Sequence, residues 1–168
     1  LTVQNGARQT SSKSQPISAA ANYIMEAASF AWVDTSGMPA LSLSNEGVSA
    51  AQNLPFTFNF YGQSYTQFYV GANGLIGFRP DNLGASANVD LPNAAVPNAV
   101  VCPYWDDLNP ASGGSVRVGT VGQAPQRQAV ISWVEVRHAT MPPTYLTFQI
   151  LLQEAGNRIV FQYLEVRT

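Results

Sequence analysis

The densest oxygen chemistry in this chain lies in Asp106-Asp107-Leu108-Asn109. Two adjacent carboxylates followed by an amide oxygen are hard ligands of the kind Ca²⁺ takes, and loop carbonyls could complete the shell. The competing reading is local. An aspartate accepts backbone N–H groups of its own turn, and Trp105 would anchor the end of the preceding strand. Turn capping is the favoured reading, because calcium loops carry more acidic groups at alternating positions. The same two carboxylates make a poor general acid and base, since neighbouring strand residues point to opposite faces.

His138 is the sole histidine and Cys102 the sole cysteine. A nucleophile triad needs a histidine oriented by a carboxylate and set beside Ser or Cys. Glu135 is near His138 in sequence, but no nucleophile elbow is present. Cys102 sits among Val100, Val101, Pro103 and Tyr104, which reads as a buried thiol without an activating helix N-terminus. One His and one Cys also fall short of a zinc site. Gly113-Gly114 reads as a turn; it lacks the Lys and following helix of a phosphate loop. No catalytic residue is assigned.

Aromatic side chains offer a different chemistry, stacking on a sugar ring or anchoring a protein partner. Most alternate into a core. The candidates for ligand contact are Trp32, Tyr104, Trp105 and Tyr145; Trp32 and Tyr145 flank loops, the latter after Met141-Pro142-Pro143.

These residues need strands to position them. Phe56, Phe58 and Phe60 share one face at period two, which a strand uses and a helix does not. Tyr61-Gly62-Gln63 and Asn73-Gly74 cut residues 54–78 into three short strands, with Asn73-Gly74 expected as a type I′ hairpin turn. Further strands are expected over 40–43, 115–120, 128–136, 145–154 and 158–166, and an apolar run spans 99–105. Along 145–154, Leu146, Phe148, Ile150 and Leu152 face inward, with Thr147, Gln149 and Gln153 outward. Ile159, Phe161 and Tyr163 share a face. Residues 22–25 with 30–33 form a strand pair or an irregular lead-in, Ala19 to Ala28 can hold a helical turn, and 79–97 is a long loop. The expected architecture is all-β, one antiparallel, jelly-roll-like β-sandwich over 21–168, preceded by a linker or edge extension over 1–20.

Three motifs in this order resemble the nidogen-like extracellular domain and its bacterial relatives: Leu54-Pro-Phe-x-Phe-x-Phe-Tyr-Gly-x-x-Tyr, Tyr69-Val-x-x-Asn-Gly-x-Ile-x-Phe78 and Pro103-Tyr-Trp-Asp-Asp-Leu108. Gly114–Val118, Gln128–His138 and Thr147–Tyr163 extend the likeness over roughly residues 40–165. The resemblance implies a β-sandwich module of large secreted or surface proteins, found in bacteria beside peptidases, other hydrolases or adhesin-like regions. It implies no catalytic residue and no assigned ligand. Cys102 departs from the pattern, where a small or apolar residue is more usual.

Composition agrees with that setting. Of 168 residues only 11% are charged, against the usual ~25%, and Lys13 is the only lysine. A net charge of −2 without a basic stripe excludes a nucleic-acid footprint. No apolar run approaches the ~20 residues of a membrane helix. Leu1 in place of an initiating methionine reads as an excised or processed piece. The lack of disulfides favours a bacterial over an animal extracellular source. The expected role is a non-catalytic binding or accessory module of a larger secreted or cell-surface protein. Its partners would be a polysaccharide or extracellular protein and neighbouring domains of the parent. It needs no cofactor, unless Ca²⁺ binds at Asp106, Asp107 and Asn109. The alternative is a structural or interaction spacer without a small ligand.

Overall fold

The computed structural model describes residues 2–5, 23–141 and 144–166. Twelve strands are present among them: β1 (Thr2–Asn5), β2 (Glu26–Ala27), β3 (Ala40–Leu41), β4 (Gln52–Phe60), β5 (Gln63–Gly71), β6 (Leu75–Gly77), β7 (Val100–Val101), β8 (Leu108–Asn109), β9 (Ser115–Val121), β10 (Gln128–His138), β11 (Tyr145–Gln153) and β12 (Arg158–Val166). They form two sheets. The large one runs β2-β1-β12-β11-β10-β9-β3, with β8 also on β10; the small one runs β4-β5-β6-β7. Both are mostly sequential meanders, so the jelly-roll likeness lies in the two layers rather than in the connections. Antiparallel pairing has one exception: β1 runs parallel to both β12 and β2.

The sheets face each other across one core. Phe58, Phe68, Val70 and Ile76 of the small sheet meet Ile131, Trp133, Phe148, Ile150 and Phe161 of the large one. Leu146, Phe148, Ile150 and Leu152 all point into it, as do Ile159, Phe161 and Tyr163. Burying this much apolar surface between two layers is what stabilises a sandwich. The outer face of the large sheet is also covered in part, where Val33 and Met38 pack on Val130, Leu151 and Val160. Gln149, expected to face outward into water, is therefore fully buried. It lies in a cross-strand row with Ser132 and Gln162, joined by hydrogen bonds of 3.3 and 3.4 Å.

Two turns exchange roles relative to the sequence reading. Phe60 and Gln63 pair around Tyr61-Gly62, both at positive φ (47° and 81°), so the type I′ turn sits here. Gly71 and Leu75 close a three-residue loop, Ala72–Gly74, in which only Gly74 has positive φ. The loop is longer because Asn73 turns its side chain inward. Its amide donates to the Glu46 carboxylate (2.6 Å) and the Gly84 carbonyl (2.9 Å), and its oxygen accepts from Leu108 N–H (2.9 Å). A Cβ on Gly74 would sit 1.9 Å from the Tyr104 carbonyl oxygen, so glycine is required for the close approach as well as for φ.

The 99–105 run contributes only Val100–Val101 as strand, and 40–43 only Ala40–Leu41. Within the lead-in, Glu26–Ala27 is strand and the described part of 19–28 holds no helix; residues 19–22 lie outside the described residues, as do 6–20 of the expected linker. Among the described residues, no helix is long and apolar enough to cross a membrane.

Candidate functional site

The β7–β8 loop, the β5–β6 turn and the β10–β11 connection meet at one end of the sandwich. Asp106 donates its N–H to the Asn73 carbonyl (3.2 Å), and Ala139 N–H donates to the Asp107 carbonyl (2.8 Å). Asn73 and Ala139 thereby bring Asp106, Asp107 and His138 together, although Asp106 and His138 lie far apart in sequence.

His138 is almost wholly buried. Thr140 N–H donates to its Nδ1 (3.2 Å), so Nδ1 serves as an acceptor and Nε2 is the nitrogen left to carry a proton. Nε2 lies 3.4 Å from Asp106 Oδ2, an approach that does not form a hydrogen bond. The Thr140 hydroxyl is 3.4 Å from Nδ1. The order Thr140–His138–Asp106 superficially matches a nucleophile, base and orienting acid. Nδ1, however, already holds the backbone N–H, so it has no lone pair free to take the hydroxyl proton.

Asp106 serves its own turn, whereas the Asp107 side chain does not cap it. Asp106 Oδ1 accepts Asp107 N–H (2.9 Å), while Asp107 Oδ1 is buried without a hydrogen-bond partner. Asn109 Oδ1 accepts Ser112 N–H (3.2 Å), capping the 3-10 turn Pro110–Ser112. Asn109 is thus engaged away from the aspartates. Among the described residues no three His, Cys, Asp or Glu side chains are placed to hold a metal ion.

Trp105 faces inward. Its indole N–H donates to the Ala85 carbonyl (2.7 Å), its carbonyl accepts from Asn88 (3.0 Å), and its ring packs on Leu75 and Leu83. It pins the long 79–97 loop to the sandwich. Cys102 packs on that same cluster, and burial pushes its thiol up to about 12, so it is not a thiolate nucleophile. Tyr104 lies against Phe148 at 5.6 Å between ring centres, and burial, with the Asp106 charge, raises its phenol.

Tyr145 and Trp32 keep open surface. Trp32 is half-buried and stacks on exposed Phe30 at 6.4 Å on the lead-in segment. Tyr145 is 38% exposed, and Arg137, its register partner on β10, holds it. The guanidinium lies 5.3 Å over the ring and donates to the Tyr145 hydroxyl (2.8 Å). Arg137 also pairs in register with Asn109, so Asn109, Arg137 and Tyr145 form one row across β8, β10 and β11. The stem of Arg137 passes Gly113, where a Cβ would lie 3.1 Å from Arg137 Nε. Sequence reasoning finds Tyr145 by its position beside a loop but misses Arg137, because cross-strand register is not visible along the chain. The Met141-Pro142-Pro143 tip is described only at Met141, which is exposed; Pro142 and Pro143 lie outside the described residues.

A family model described as NIDO related matches residues 22–168. Neither a curated protein nor a solved structure matches the chain.

Proposed function

This chain belongs to the NIDO-related family, and from that premise we propose that it is a non-catalytic, extracellular binding or accessory module of a larger secreted or surface protein. Family membership supports the extracellular setting. The internal engagement of the reactive side chains supports the non-catalytic reading: His138 Nδ1 is occupied by a backbone N–H, and the Cys102 thiol is held neutral.

The observation that carries the binding role is the Arg137–Tyr145 pair. An exposed phenol clamped by a hydrogen bond and a cation–π contact loses little further entropy on binding. Beside it, Asn109 and Arg137 supply polar groups for a hydroxyl-rich polymer or an extracellular protein. Binding of the chain to a panel of polysaccharides and matrix proteins tests this. A ligand whose capture falls with Tyr145→Ala supports it; a panel in which no ligand is held above background opposes it.

A second reading rests on Val89, Leu91 and Val96, three exposed apolar residues of one loop. They support a contact with a neighbouring protein. In that case Tyr145→Ala leaves binding intact and Leu91→Asp abolishes it.

A further inference from the structure

Where β10 begins, β11 ends and β12 begins, the large sheet carries a polar cavity. Tyr145 opens β11 and Gln153 closes it, so this cavity and the Tyr145 surface lie at opposite ends of one strand. The cavity, of about 160 Å³, is lined by Gln126, Arg127, Gln128, Gln153, Ala155 and Arg158. Pockets for drug-sized molecules span about 300–1,000 Å³, so this one admits a single small polar unit.

Register builds its floor. Gln128 pairs with Gln153, and Gln153 with Arg158, which sets three polar side chains in one row across β10, β11 and β12. The Gln153 amide donates to the Gln128 side-chain oxygen (3.3 Å). Among the described residues, the Gln128 amide N–H groups and the Gln153 side-chain oxygen make no other hydrogen bond. A donor and an acceptor thus stand side by side. That is the complement of sugar hydroxyls, each of which both donates and accepts.

The two guanidinium groups of the cavity differ. Arg127 is engaged within the fold: Glu154 accepts from its Nε and Nη2 (2.8 and 2.6 Å), and the group lies 5.8 Å from the Phe56 ring centre. Arg158 faces only Glu26, at 3.8 Å, too far for a hydrogen bond, and both side chains are about half exposed. Its planar fork of N–H donors fits a carboxylate, and so loose a counter-charge is displaced at little cost.

We propose that this cavity is a binding site for the uronic-acid unit of an acidic polysaccharide, with Arg158 taking the carboxylate and the Gln128–Gln153 pair taking ring hydroxyls. An acidic peptide satisfies Arg158 but leaves the amide pair without hydroxyl partners. A neutral sugar leaves Arg158 with Glu26 alone. Glu26 competes with the ligand for Arg158 and so lowers its affinity. The site does not depend on the Tyr145 surface, and either can bind without the other.

NMR titration of the full chain with galacturonate, glucuronate, galactose, acetate and a glutamate-rich peptide tests it, followed at the backbone amides of Gln128, Gln153 and Arg158. The uronates should shift these signals and bind about tenfold more tightly than galactose or acetate. Arg158→Gln should abolish that preference. Glu26→Gln, at an exposed position where the fold is not at risk, should tighten uronate binding. Equal affinity for acetate, galactose or the peptide overturns the proposal. So does the absence of a shift with either uronate, or a Glu26→Gln chain that binds uronate no better than wild type.

Discussion

Asn157, in the turn between β11 and β12, closes the open edge of the small sheet at Asn59. Its Oδ1 accepts the Asn59 N–H (2.7 Å), and its Nδ2 donates to the Asn59 carbonyl. One side-chain amide thus imitates a neighbouring strand and satisfies both backbone groups of an edge residue. Tyr23 completes the clasp by donating its hydroxyl to the same carbonyl (2.8 Å), and burial pushes its phenol up to about 12. The contact ties the β11–β12 turn of one sheet to the edge of the other.

Asn157 also adopts positive φ (51°). Asn157→Gly keeps that conformation and loses the amide, at an expected cost of about 1–3 kcal/mol. Asn157→Ala adds the left-handed penalty of about 1–2 kcal/mol. Urea denaturation should rank wild type above Asn157→Gly and both above Asn157→Ala. Coincident midpoints would mean that the clasp contributes nothing.

Two tryptophans separate packing from hydrogen bonding. Trp133 is fully buried, stacked on Phe148 at 5.0 Å, and its Nε1–H has no partner. Trp133→Phe removes that orphan donor and should cost only about 1 kcal/mol. Trp105→Phe breaks the bond to the Ala85 carbonyl and loosens the 79–97 loop, so about 2–3 kcal/mol is expected. The reverse order in thermal melts would refute the assignment of Trp105 as the loop's anchor.

Arg127 makes a bidentate contact with Glu154 (2.6 and 2.8 Å). The hydrogen bonds hold the Glu154 carboxyl below its ordinary value of 4.5. A carboxyl lowered on folding contributes stability above 4.5 and loses it as pH falls through the lowered native value. Water screens the pair, which keeps the effect modest. Between about pH 7 and pH 3, wild type should lose more stability than Arg127→Met. Parallel acid limbs for the two proteins would contradict the linkage.

Cys102 supplies a test of burial. With its thiol raised to about 12, labelling by a thiol reagent near neutral pH should be slow in the native protein and fast in denaturant. Equal rates in the two states would show that the Leu75–Leu83–Trp105 cluster does not shield it.

What the sequence discloses and what it hides follow from the range of each signal. Period-two alternation is local, so Phe56, Phe58 and Phe60, and likewise Leu146 to Leu152, are legible as one inward face. Tyr61-Gly62 and Asn73-Gly74 are equally visible as turns. Their types are not, because the Asn73 side chain answers to Glu46, Gly84 and Leu108, partners remote in sequence. Gln149 reads as outward-facing, yet its burial depends on cover over the large sheet that alternation does not encode. The candidate site divides the same way. Asp106 is legible as a residue that accepts a local backbone N–H, whereas the unpartnered Asp107 oxygen, the approach to His138 and the Arg137–Tyr145 clamp depend on contacts remote in sequence. The parallel seat of Thr2–Asn5 carries no local signal, since those residues have no preference that distinguishes a docked strand from a free extension.

The central claim, that Tyr145 held by Arg137 is a contact surface, is tested most directly by calorimetric titration of whichever polysaccharide or matrix protein the chain captures. Wild type, Tyr145→Ala and Arg137→Met are compared, all with unchanged melting transitions. Affinity should fall by about tenfold or more for Tyr145→Ala and by less for Arg137→Met, which frees the ring without removing it. Full affinity in both variants would contradict the claim.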